Sequence, residues 1–512
     1  MSLLAVDIGS SRCKAVVFAV TGEILAQHTC AYAPEFPSPS QAEMDAECFW
    51  QALCTCSQAV SRNLSDPVRA LCLSSHGESF VPVNGRNETV AGAILNQDHR
   101  ATEEAAWIEA TLGRKRLFEI TGLVAHPMYP VPKILWLRKH RPELFASSVR
   151  FLTVIGYLLS RLGLPAYIDY SLASRYLVFD IRRREWSSEI LAAAEINPEW
   201  LPVAVPAGTI AGKLDAAAAS ELGLSFGTMV VMGGHDQPCG ALGVGAVGAG
   251  RVADSMGTYE CLAAASDQPS LTDAALAASL NSYCHVVPEK FVTLAYFPSG
   301  IMMKWFHDLL YGEGHGEGHG EGCGEGSTQG WDSFDAESLH YAALERAAAA
   351  APTGLCVTPN LIGTCNPEFN PHARGIISGL SANTTRSQIY KGILEGLACE
   401  LAQMTEILTS AVGEFQDIYV TGGGSRSVLG LQLRAALSGR RLHVMKSPEA
   451  VCLGGAILAG VAGGEYGSLQ EAVEVLVREV AVVAPDSAIA GAYAQQVKQY
   501  RRLRSVIMAI TN

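Results

Sequence analysis

The stretch LLAVDIGSSRCKAVVF, residues 3–18, decides how this chain folds. Its apolar residues predict two neighbouring strands, and the join between them is polar. That join offers backbone N–H groups and the hydroxyls of Ser10 and Ser11, which suit phosphate oxygens, and Lys14 can add a positive charge. Asp7, at the strand end, can hold Mg²⁺ through water, because Mg²⁺ keeps most of its waters. An ordinary β-turn in which Asp7 caps a backbone group is the alternative that this stretch leaves open.

Length and composition restrict the class of protein. The chain has 512 residues, which predicts two domains, and its formal net charge of −13 argues against a nucleic-acid coat or a binder of anionic membranes. The 14 cysteines are scattered without a CxxC pair, as expected for buried thiols in a reducing compartment. Neither a signal peptide nor an apolar run long enough to span a membrane is evident. We therefore expect a cytoplasmic protein without nucleic-acid or membrane partners.

Strands and helices alternate along the chain, which predicts α/β layers. A glycine-rich stretch at 245–251 suggests a boundary between domains 1–247 and 248–512. Strands are predicted at 3–9 and 13–20, and helices at 45–64, 240–247, 386–412, 427–438 and 452–463.

One segment cannot belong to a packed core. Residues 312–330 form a low-complexity insertion of glycine, glutamate and histidine, GEGHGEGHGEGCGEGSTQG. Metal capture by His315, His319 and Cys323 is one interpretation. The other is a solvated insertion with incidental histidines, which we favour because such a loop lacks the outer contacts that fix metal ligands.

Asp236 is the first candidate for chemistry. It lies in VVMGGHDQPCGALG, residues 230–243, after an apolar strand and before a helix. Ligands of α/β proteins bind beyond the carboxyl ends of strands. An aspartate there can accept a proton from a hydroxyl that attacks a phosphoryl group, although a helix N-cap aspartate is the commoner reading of the same pattern.

Two glycine-rich segments follow in the second half. YVTGGGSRSVLGLQLRAAL, residues 419–437, places three glycines between a strand and a helix, where another molecule can approach the backbone closely. It lacks the spacing of a Walker loop or a dinucleotide-binding fingerprint. The small residues of SPEAVCLGGAILAG, residues 447–460, permit tight packing or leave space for a flat ring.

Taken together, these segments resemble the FGGY family of carbohydrate kinases, members of the sugar kinase, Hsp70 and actin superfamily. The resemblance covers nearly the whole chain. DIGSSRCKAVVF and DSMGTYECLA resemble the two phosphate motifs of the family. GGHDQPCGALG resembles the motif that carries the catalytic aspartate, and the two glycine-rich segments, residues 419–437 and 447–460, resemble the adenosine-binding region. The segments LNQDHRATEEA, YPVPKILWLRKHRPELF and YIDYSLASRYLVFDIRRREW agree with further motifs of the family.

The resemblance implies a fold and a site. It implies an α/β protein with two actin-like (ribonuclease H-like) ATPase domains, between which ATP and a carbohydrate meet in a cleft. Asp236 would be the catalytic base, and Asp7 would organise Mg²⁺. By motif, the nucleotide would be bound by Ser10, Ser11, Arg12, Lys14, Gly257, Thr258, Gly300, Lys304, Gly423, Gly424 and Ser427.

The acceptor pocket is expected in the first domain, around SSHGESF, residues 74–80. Gly77 stands where glycerol kinases carry arginine, Asn96 where they carry tryptophan, and Met128 near their tyrosine, which argues against plain glycerol. We expect Gly77 and Asn96 to leave room for a longer polyol or ketose. Candidate acceptor residues are His76, Gly77, Glu78, Asn96, Gln97, Asp98, Met128, Asp236 and Gln237.

Two of these candidates have plainer readings. His76 is also compatible with a satisfied core histidine, and Met128 with simple packing. The leading hypothesis is an ATP-dependent kinase for a xylulose-like ketopentose or a related open-chain carbohydrate. Alternatives are a kinase for another polyol or a sugar acid, a non-catalytic nucleotide-dependent sugar-binding or regulatory protein, and a conformational ATPase. Family members are often dimers or tetramers, so a homodimer is compatible with the resemblance.

Overall fold

The structure is a computed structural model and describes residues 2–312 and 339–511. Its first half is built on a mixed six-stranded sheet. In spatial order, the strands of this sheet are Ile210–Lys213, Met229–His235, Val68–Ser75, Ser2–Ile8, Arg12–Ala19 and Ile24–Ala31.

The second half is built on a mixed seven-stranded sheet. In spatial order, its strands are Asn281–Cys284, Phe291–Pro298, Tyr259–Ser266, Arg251–Met256, Asp417–Thr421, Arg441–Met445 and Glu479–Val483. Smaller sheets combine Glu35–Ser38 with Gln41–Met44 and Ala93–Ile94, Val81–Val83 with Arg150–Leu152, Tyr167–Asp169 with Val203–Val205, Phe179–Asp180 with Glu185–Trp186, and Cys356–Thr358 with Ile376–Ser378.

Helices cover both large sheets, as expected when their strands are apolar. The α-helices are Ala46–Ser61, Thr102–Leu112, Arg114–Thr121, Pro130–His140, Pro142–Ser147, Val154–Arg161, Tyr170–Ser174, Ser188–Ala194, Ala216–Leu222, Asp236–Gly243, Asp273–Ala277, Gly300–Tyr311, Arg386–Val412, Val428–Ser438, Ala450–Ala462, Leu469–Leu476 and Ser487–Thr511. Residues 339–346 are also helical, and Pro198–Trp200 and Gly423–Arg426 are 3₁₀-helices.

The topology of the first sheet brings functional segments together. Ser2–Ile8 is antiparallel to Arg12–Ala19 and parallel to Val68–Ser75, which is parallel to Met229–His235. The carboxyl ends of three parallel strands therefore lie at one edge of the sheet. Asp7, His76 and Asp236 lie at or directly after these ends, and Asp7 and Asp236 line a cavity that residues of the second half also line.

Helix Ala450–Ala462 connects the two halves. It packs on the first sheet beside helix Asp236–Gly243, within one apolar cluster that includes Ala5, Cys72 and Ile457. A Cβ on Gly243 would lie 1.9 Å from the carbonyl oxygen of Ala450, and one on Gly454 would lie 1.9 Å from that of Cys239. The small residues of this region therefore serve close contact between helices.

The secondary structure largely follows the sequence predictions. The helix predicted at 386–412 is Arg386–Val412, and the helix predicted at 452–463 is Ala450–Ala462. The prediction of a helix over 240–247 was wrong at both ends, because the helix is Asp236–Gly243. His235 takes the N-cap position, so Asp236 is the first helical residue.

Three sequence interpretations concern metals, thiols and membranes. Cys48, Cys54 and Cys56 lie together on helix Ala46–Ser61, and the cysteines within the described ranges form no disulfide bond. Across residues 2–312 and 339–511, no group of three or more His, Cys, Asp or Glu side chains is arranged to hold a metal ion, and no helix is long and apolar enough to cross a membrane. His315, His319 and Cys323, the proposed metal ligands of the insertion, lie outside the described residues.

Candidate active site

A cavity of about 180 Å³ lies in the cleft between the two large sheets. Asp7, Lys14 and Asp236 line it from the first half, and Ser255 and Glu449 line it from the second. Three carboxylates and one ammonium group therefore face a small space, as a site for a phosphorylated ligand and a metal ion requires.

The first polar turn, residues 9–12, joins the two strands that carry Asp7 and Lys14 and is fixed by hydrogen bonds. The N–H of Gly9 donates to the carbonyl oxygen of Arg12 at 2.9 Å, and the hydroxyl of Tyr32 donates to that of Gly9 at 2.6 Å. The N–H of Tyr32 donates to the carbonyl oxygen of Ser11 at 3.0 Å. Ser11 and Arg12 are exposed, and Ser10 is half-buried. The turn thus presents its polar groups from a fixed backbone.

Asp7 carries an unsatisfied oxygen. Its Oδ1 is buried and accepts no hydrogen bond from the residues that the structure describes. Burial, reinforced by the nearby Glu449 carboxylate, raises the pKa of Asp7 to about 6, while Lys14 opposes the shift. The Nζ of Lys14 donates to Oε2 of Glu449 at 2.6 Å, across the cleft. The predicted phosphate lysine is therefore paired with a carboxylate in this structure.

Asp236 also carries a buried carboxylate oxygen without a hydrogen-bond partner among the described residues. This oxygen is Oδ1, and Nε2 of His235 lies 3.2 Å away from it. Burial and the negative charges of Asp7 and Glu78 raise the pKa of Asp236 well above its usual range. Burial lowers the pKa of His235 to about 3, so the imidazole is neutral, and its Nδ1 shares a 2.8 Å hydrogen bond with the hydroxyl of Tyr283. In its ionised form Asp236 is thus a stronger proton acceptor than an exposed aspartate.

The second polar turn, Gly257 and Thr258, is exposed and supported by a helix N-terminus. The N–H of Gly300 donates to the carbonyl oxygen of Gly257 at 3.0 Å, and the N–H of Ile301 donates to that of Thr258 at 3.3 Å. A Cβ on Gly300 would lie 2.5 Å from the same Gly257 oxygen. Only glycine allows this approach of the helix to the turn.

A buried ion pair underlies this turn. Both oxygens of Glu260 accept hydrogen bonds from Arg434, at 2.9 and 2.7 Å, and Oε2 also accepts one from the hydroxyl of Ser299 at 2.8 Å. Ser299 directly precedes Gly300, so the pair fixes the turn and the helix together. Neither charge of the pair is exposed, which makes each dependent on the other.

The predicted adenosine residues differ in how freely they can meet a ligand. A Cβ on Gly423 would meet nothing within 4 Å, and one on Gly424 would lie 3.0 Å from Cβ of Met256. Ser427 is the N-cap of helix Val428–Ser438, and its hydroxyl accepts from the N–H of Gly430 at 2.9 Å. The exposed Lys304 pairs with Asp308 on its own helix at 2.6 Å.

Two predicted acceptor residues are satisfied inside the protein. Nδ1 of His76 donates to the carbonyl oxygen of Ile8 at 2.9 Å, so Nε2 accepts from the hydroxyl of Ser79 at 2.7 Å. The plainer reading of His76, a satisfied core histidine, fits this geometry. Asp98 is fully buried, and both of its oxygens accept from Arg100. The prediction that Asp98 contacts the acceptor was wrong, because its oxygens are already engaged in an internal ion pair.

Gly77 also requires a correction. A Cβ there would lie 3.0 Å from the imidazole of His235 and 3.3 Å from Cγ of Arg175. The expectation that Gly77 leaves room for a longer substrate was wrong, because protein side chains occupy that space. Arg175 instead forms a buried ion pair with Glu78, through its Nε and the Oε1 of the carboxylate. This pair lowers the pKa of Glu78 against the opposing effect of burial.

The remaining acceptor candidates lie nearer to free space. Asn96 is half-buried, and its buried Oδ1 has no partner within the part of the chain that the structure describes. Gln237 lines the cavity, and Gln97 is exposed. Met128 is half-buried and packs against the main apolar cluster of the first half.

Sequence reasoning missed two cationic residues of this region. Arg175 interrupts an apolar run, ASRYLVF, and such an isolated charge is the signal that could have drawn attention to it. Lys133 is fully buried and donates to the carbonyl oxygens of Glu78 at 3.0 Å and of Leu95 at 2.7 Å. It therefore joins the two segments that carry Glu78 and Asn96.

Two family models match this chain. The model for the FGGY family of carbohydrate kinases, N-terminal domain, matches residues 2–243, and the model for the C-terminal domain of the same family matches residues 252–463. The chain belongs to the FGGY family of carbohydrate kinases. It is therefore a phosphotransferase that uses ATP as cosubstrate and a hydroxyl of a small carbohydrate as acceptor.

Relatives of this FGGY kinase differ in their acceptors. It is 26% identical to the xylulose kinase of Escherichia coli (strain K12) over 99% of each chain. It is 25% identical to the gluconokinase of Bacillus subtilis (strain 168), over 93% of this chain and 90% of that one.

A solved structure confirms the fold. The ligand-bound xylulose kinase from Lactobacillus acidophilus superimposes with a TM-score of 0.87 at 21% identity, over 100% of this chain and 99% of that one. The two-domain, actin-like α/β fold that the sequence resemblance implied is thereby confirmed.

Proposed function

We propose that this FGGY kinase transfers the γ-phosphoryl group of ATP to a xylulose-like ketopentose or a related open-chain carbohydrate. The observation that carries the proposal is the position of the Asp236 carboxylate. It lines the cleft cavity together with Asp7 and Lys14, and its Oδ1 is 3.2 Å from the imidazole of His235, which packs against Gly77. Asp236 thus adjoins both the phosphate side and the acceptor side of the cleft.

Asp236 acts as the general base in this proposal. It accepts the proton of the acceptor hydroxyl as that oxygen attacks the γ-phosphorus. Its raised pKa strengthens it as a proton acceptor, and the neutral imidazole of His235 lies 3.2 Å from its Oδ1. The helix that begins at Asp236 keeps the carboxylate at the carboxyl end of its strand.

The two polar turns hold the phosphates from opposite sides. Ser10, Ser11, Arg12 and Lys14 would face the β- and γ-phosphates, and Gly257 and Thr258 would close the other side. Phosphoryl transfer depends on positioning and charge neutralisation more than on covalent chemistry, so fixed N–H donors suffice for much of the task. Gly300, Lys304, Gly423, Gly424 and Ser427 are proposed to contact the rest of the nucleotide.

The residues of the cleft fit a magnesium ion. Asp7 and Asp236 each present a buried carboxylate oxygen without a hydrogen-bond partner in the described ranges, and both line the same cavity. Mg²⁺ prefers one or two carboxylates together with waters and phosphate oxygens. We propose that Asp7 holds the ion. When bound, it would neutralise negative charge on the phosphates.

A neutral acceptor suits the charges of the acceptor side. Asp236 lies close to the Glu78 carboxylate, and that charge is balanced by Arg175 within the protein. A ketose or polyol adds no further negative charge there, whereas an aldonate does. Asn96, Gln97 and Gln237 are proposed to donate or accept hydrogen bonds with its hydroxyls. A sugar acid remains the second candidate, since some relatives are gluconokinases.

We also propose that the two domains divide at 247/248. The strands of the six-stranded sheet all precede this point, and those of the seven-stranded sheet all follow it, which supports the division. Helix Ala450–Ala462 belongs to the second domain by sequence but packs on the first sheet.

An acceptor panel tests the proposal. ADP release is measured with ATP, Mg²⁺ and one of D-xylulose, D-ribulose, xylitol, erythritol, glycerol or D-gluconate. We expect kcat/KM to be highest for a ketopentose or another open-chain neutral carbohydrate. A clear preference for D-gluconate would favour the sugar acid alternative. ATP binding without ADP release for any acceptor would favour a non-catalytic binding protein.

A further inference from the structure

Arg175 is buried between two tyrosine rings, one from each half of the chain. Its side chain is 4% exposed, and its guanidinium carbon lies 5.2 Å from the ring centre of Tyr129 and 4.9 Å from that of Tyr283. Tyr129 belongs to the first half of the chain and Tyr283 to the second, so the cation lies where the two halves meet. Its Nε donates to Glu78, which neutralises its charge.

The space beside Gly77 exists for this arginine. A side chain at residue 77 would collide with Cγ of Arg175 and with the imidazole of His235. Gly77 therefore has no side chain there, and the side chain of Arg175, which lies 97 residues from Glu78 in the sequence, occupies the space. The guanidinium group beside Glu78 is therefore that of Arg175 and does not come from residue 77.

One nitrogen of Arg175 has no partner. Its Nη1 is buried and makes no hydrogen bond to any described residue. Oδ1 of Asp236 is also buried and without a hydrogen bond, and the positive charge of Arg175 acts on this carboxylate. His235 links the two groups in space, since it lies 3.2 Å from that oxygen and packs on Gly77 beside Arg175. Buried donors and acceptors are rarely left unpaired, so a ligand that satisfies both is expected.

We propose that Arg175 binds the acceptor, with Nη1 donating a hydrogen bond to a hydroxyl oxygen of an uncharged open-chain carbohydrate. The inference rests on the proposed function and extends it to a specificity-determining residue. A hydroxyl can accept from Arg175 and donate to Asp236, which a carboxylate cannot do. Because Glu78 already balances the guanidinium charge, the pair selects a neutral polyol or ketose over an aldonate.

The test compares acceptor binding and turnover in the wild type and three variants. Arg175→Lys keeps a positive charge beside Glu78, so that the carboxylate is not left buried and alone, but it loses the planar fork of donors. Arg175→Met/Glu78→Gln removes both charges and serves if the lysine variant does not fold. Arg183→Lys, at an exposed residue paired with Glu185, is the matched control. Dissociation constants for D-xylulose, xylitol, D-gluconate and ATP are measured by thermal shift, and ADP release is measured in parallel.

The proposal expects a selective loss. In Arg175→Lys the dissociation constant for D-xylulose or xylitol should rise at least tenfold, while that for ATP stays within twofold and Arg183→Lys behaves as wild type. Unchanged binding of the neutral probe, tighter binding of gluconate than of both neutral probes, or no binding of either neutral probe to the wild type would each overturn it. Binding that depends on Arg175 without any ADP release would retain the inference and refute the proposed kinase acceptor.

Discussion

The substitution Gly300→Ala tests whether the second polar turn positions ATP. The added Cβ would lie 2.5 Å from the carbonyl oxygen of Gly257 and 3.0 Å from its carbonyl carbon. Ordinary contacts of this kind begin near 3.4 Å, so the turn or the helix must move by almost 1 Å. Since Gly257 and Thr258 are proposed to face the phosphates, moving this turn would misplace the phosphoryl group that is transferred.

A misplacement of about 1 Å can cost a reaction about 100-fold in rate. We therefore expect kcat/KM for ATP to fall by about that factor in Gly300→Ala, while the dissociation constant of the acceptor changes little. Steady-state ADP release at varied ATP, with the acceptor saturating, measures the first quantity. Gly491→Ala is a matched control, because that residue is also helical and an added Cβ there meets nothing within 4 Å.

Two results would refute this reasoning. If Gly300→Ala is folded and keeps wild-type kcat/KM for ATP, the turn either tolerates the displacement or does not hold the phosphates. If acceptor binding is lost to the same extent as ATP use, the substitution disturbs the whole cleft rather than the turn. Circular dichroism and the unfolding temperature identify a variant that is merely unfolded.

Three further predictions concern charge. Arg434→Met should lower the free energy of unfolding in urea by about 3–5 kcal/mol, because Glu260 is left buried without its counter-charge; Arg434→Met/Glu260→Gln should lose less, and equal losses would contradict the explanation. Burial lowers the pKa of Lys133 from 10.5 to about 7, so the folded state binds fewer protons than the unfolded chain between these values and its stability rises with pH there. In the wild type, the free energy of unfolding should therefore rise between pH 7 and pH 10, by at most about 5 kcal/mol. Lys133→Met should not show this rise. Asp7→Asn should raise the Mg²⁺ concentration for half-maximal ADP release by about 10–100-fold, and an unchanged value would remove Asp7 from the magnesium site.

The sequence predicts well what depends on neighbouring residues. The two apolar runs and the polar residues between them give the strands around Asp7 and the first polar turn, since hairpin register follows from a short stretch of chain. The uninterrupted helix Arg386–Val412 follows from a long run without proline. These local patterns are also the ones that carry the resemblance to the family, which is why the fold could be predicted.

Contacts between distant segments could not be read in this way. From the sequence alone, the missing side chain of Gly77 predicts free space for the substrate. In the structure, the side chain of Arg175, from a distant segment, occupies that space. Lys14 reads as a free phosphate ligand, whereas it pairs with Glu449 from a segment 435 residues away. Asp98 reads as an acceptor ligand because its motif is polar, but its partner Arg100 already uses its oxygens. Each case depends on packing that local pattern does not encode.

The most direct test of the central claim is the rate of phosphoryl transfer in Asp236→Asn. Asparagine keeps the size and shape of the side chain but cannot accept the proton of an attacking hydroxyl. With ATP and the best acceptor both saturating, the single-turnover rate should fall by about 10²–10⁴-fold, while the dissociation constant for ATP stays within a few-fold. Asp267→Asn, at an exposed residue paired with Lys290, should react as wild type. A rate for Asp236→Asn within tenfold of the wild type would contradict the assignment of Asp236 as the catalytic base.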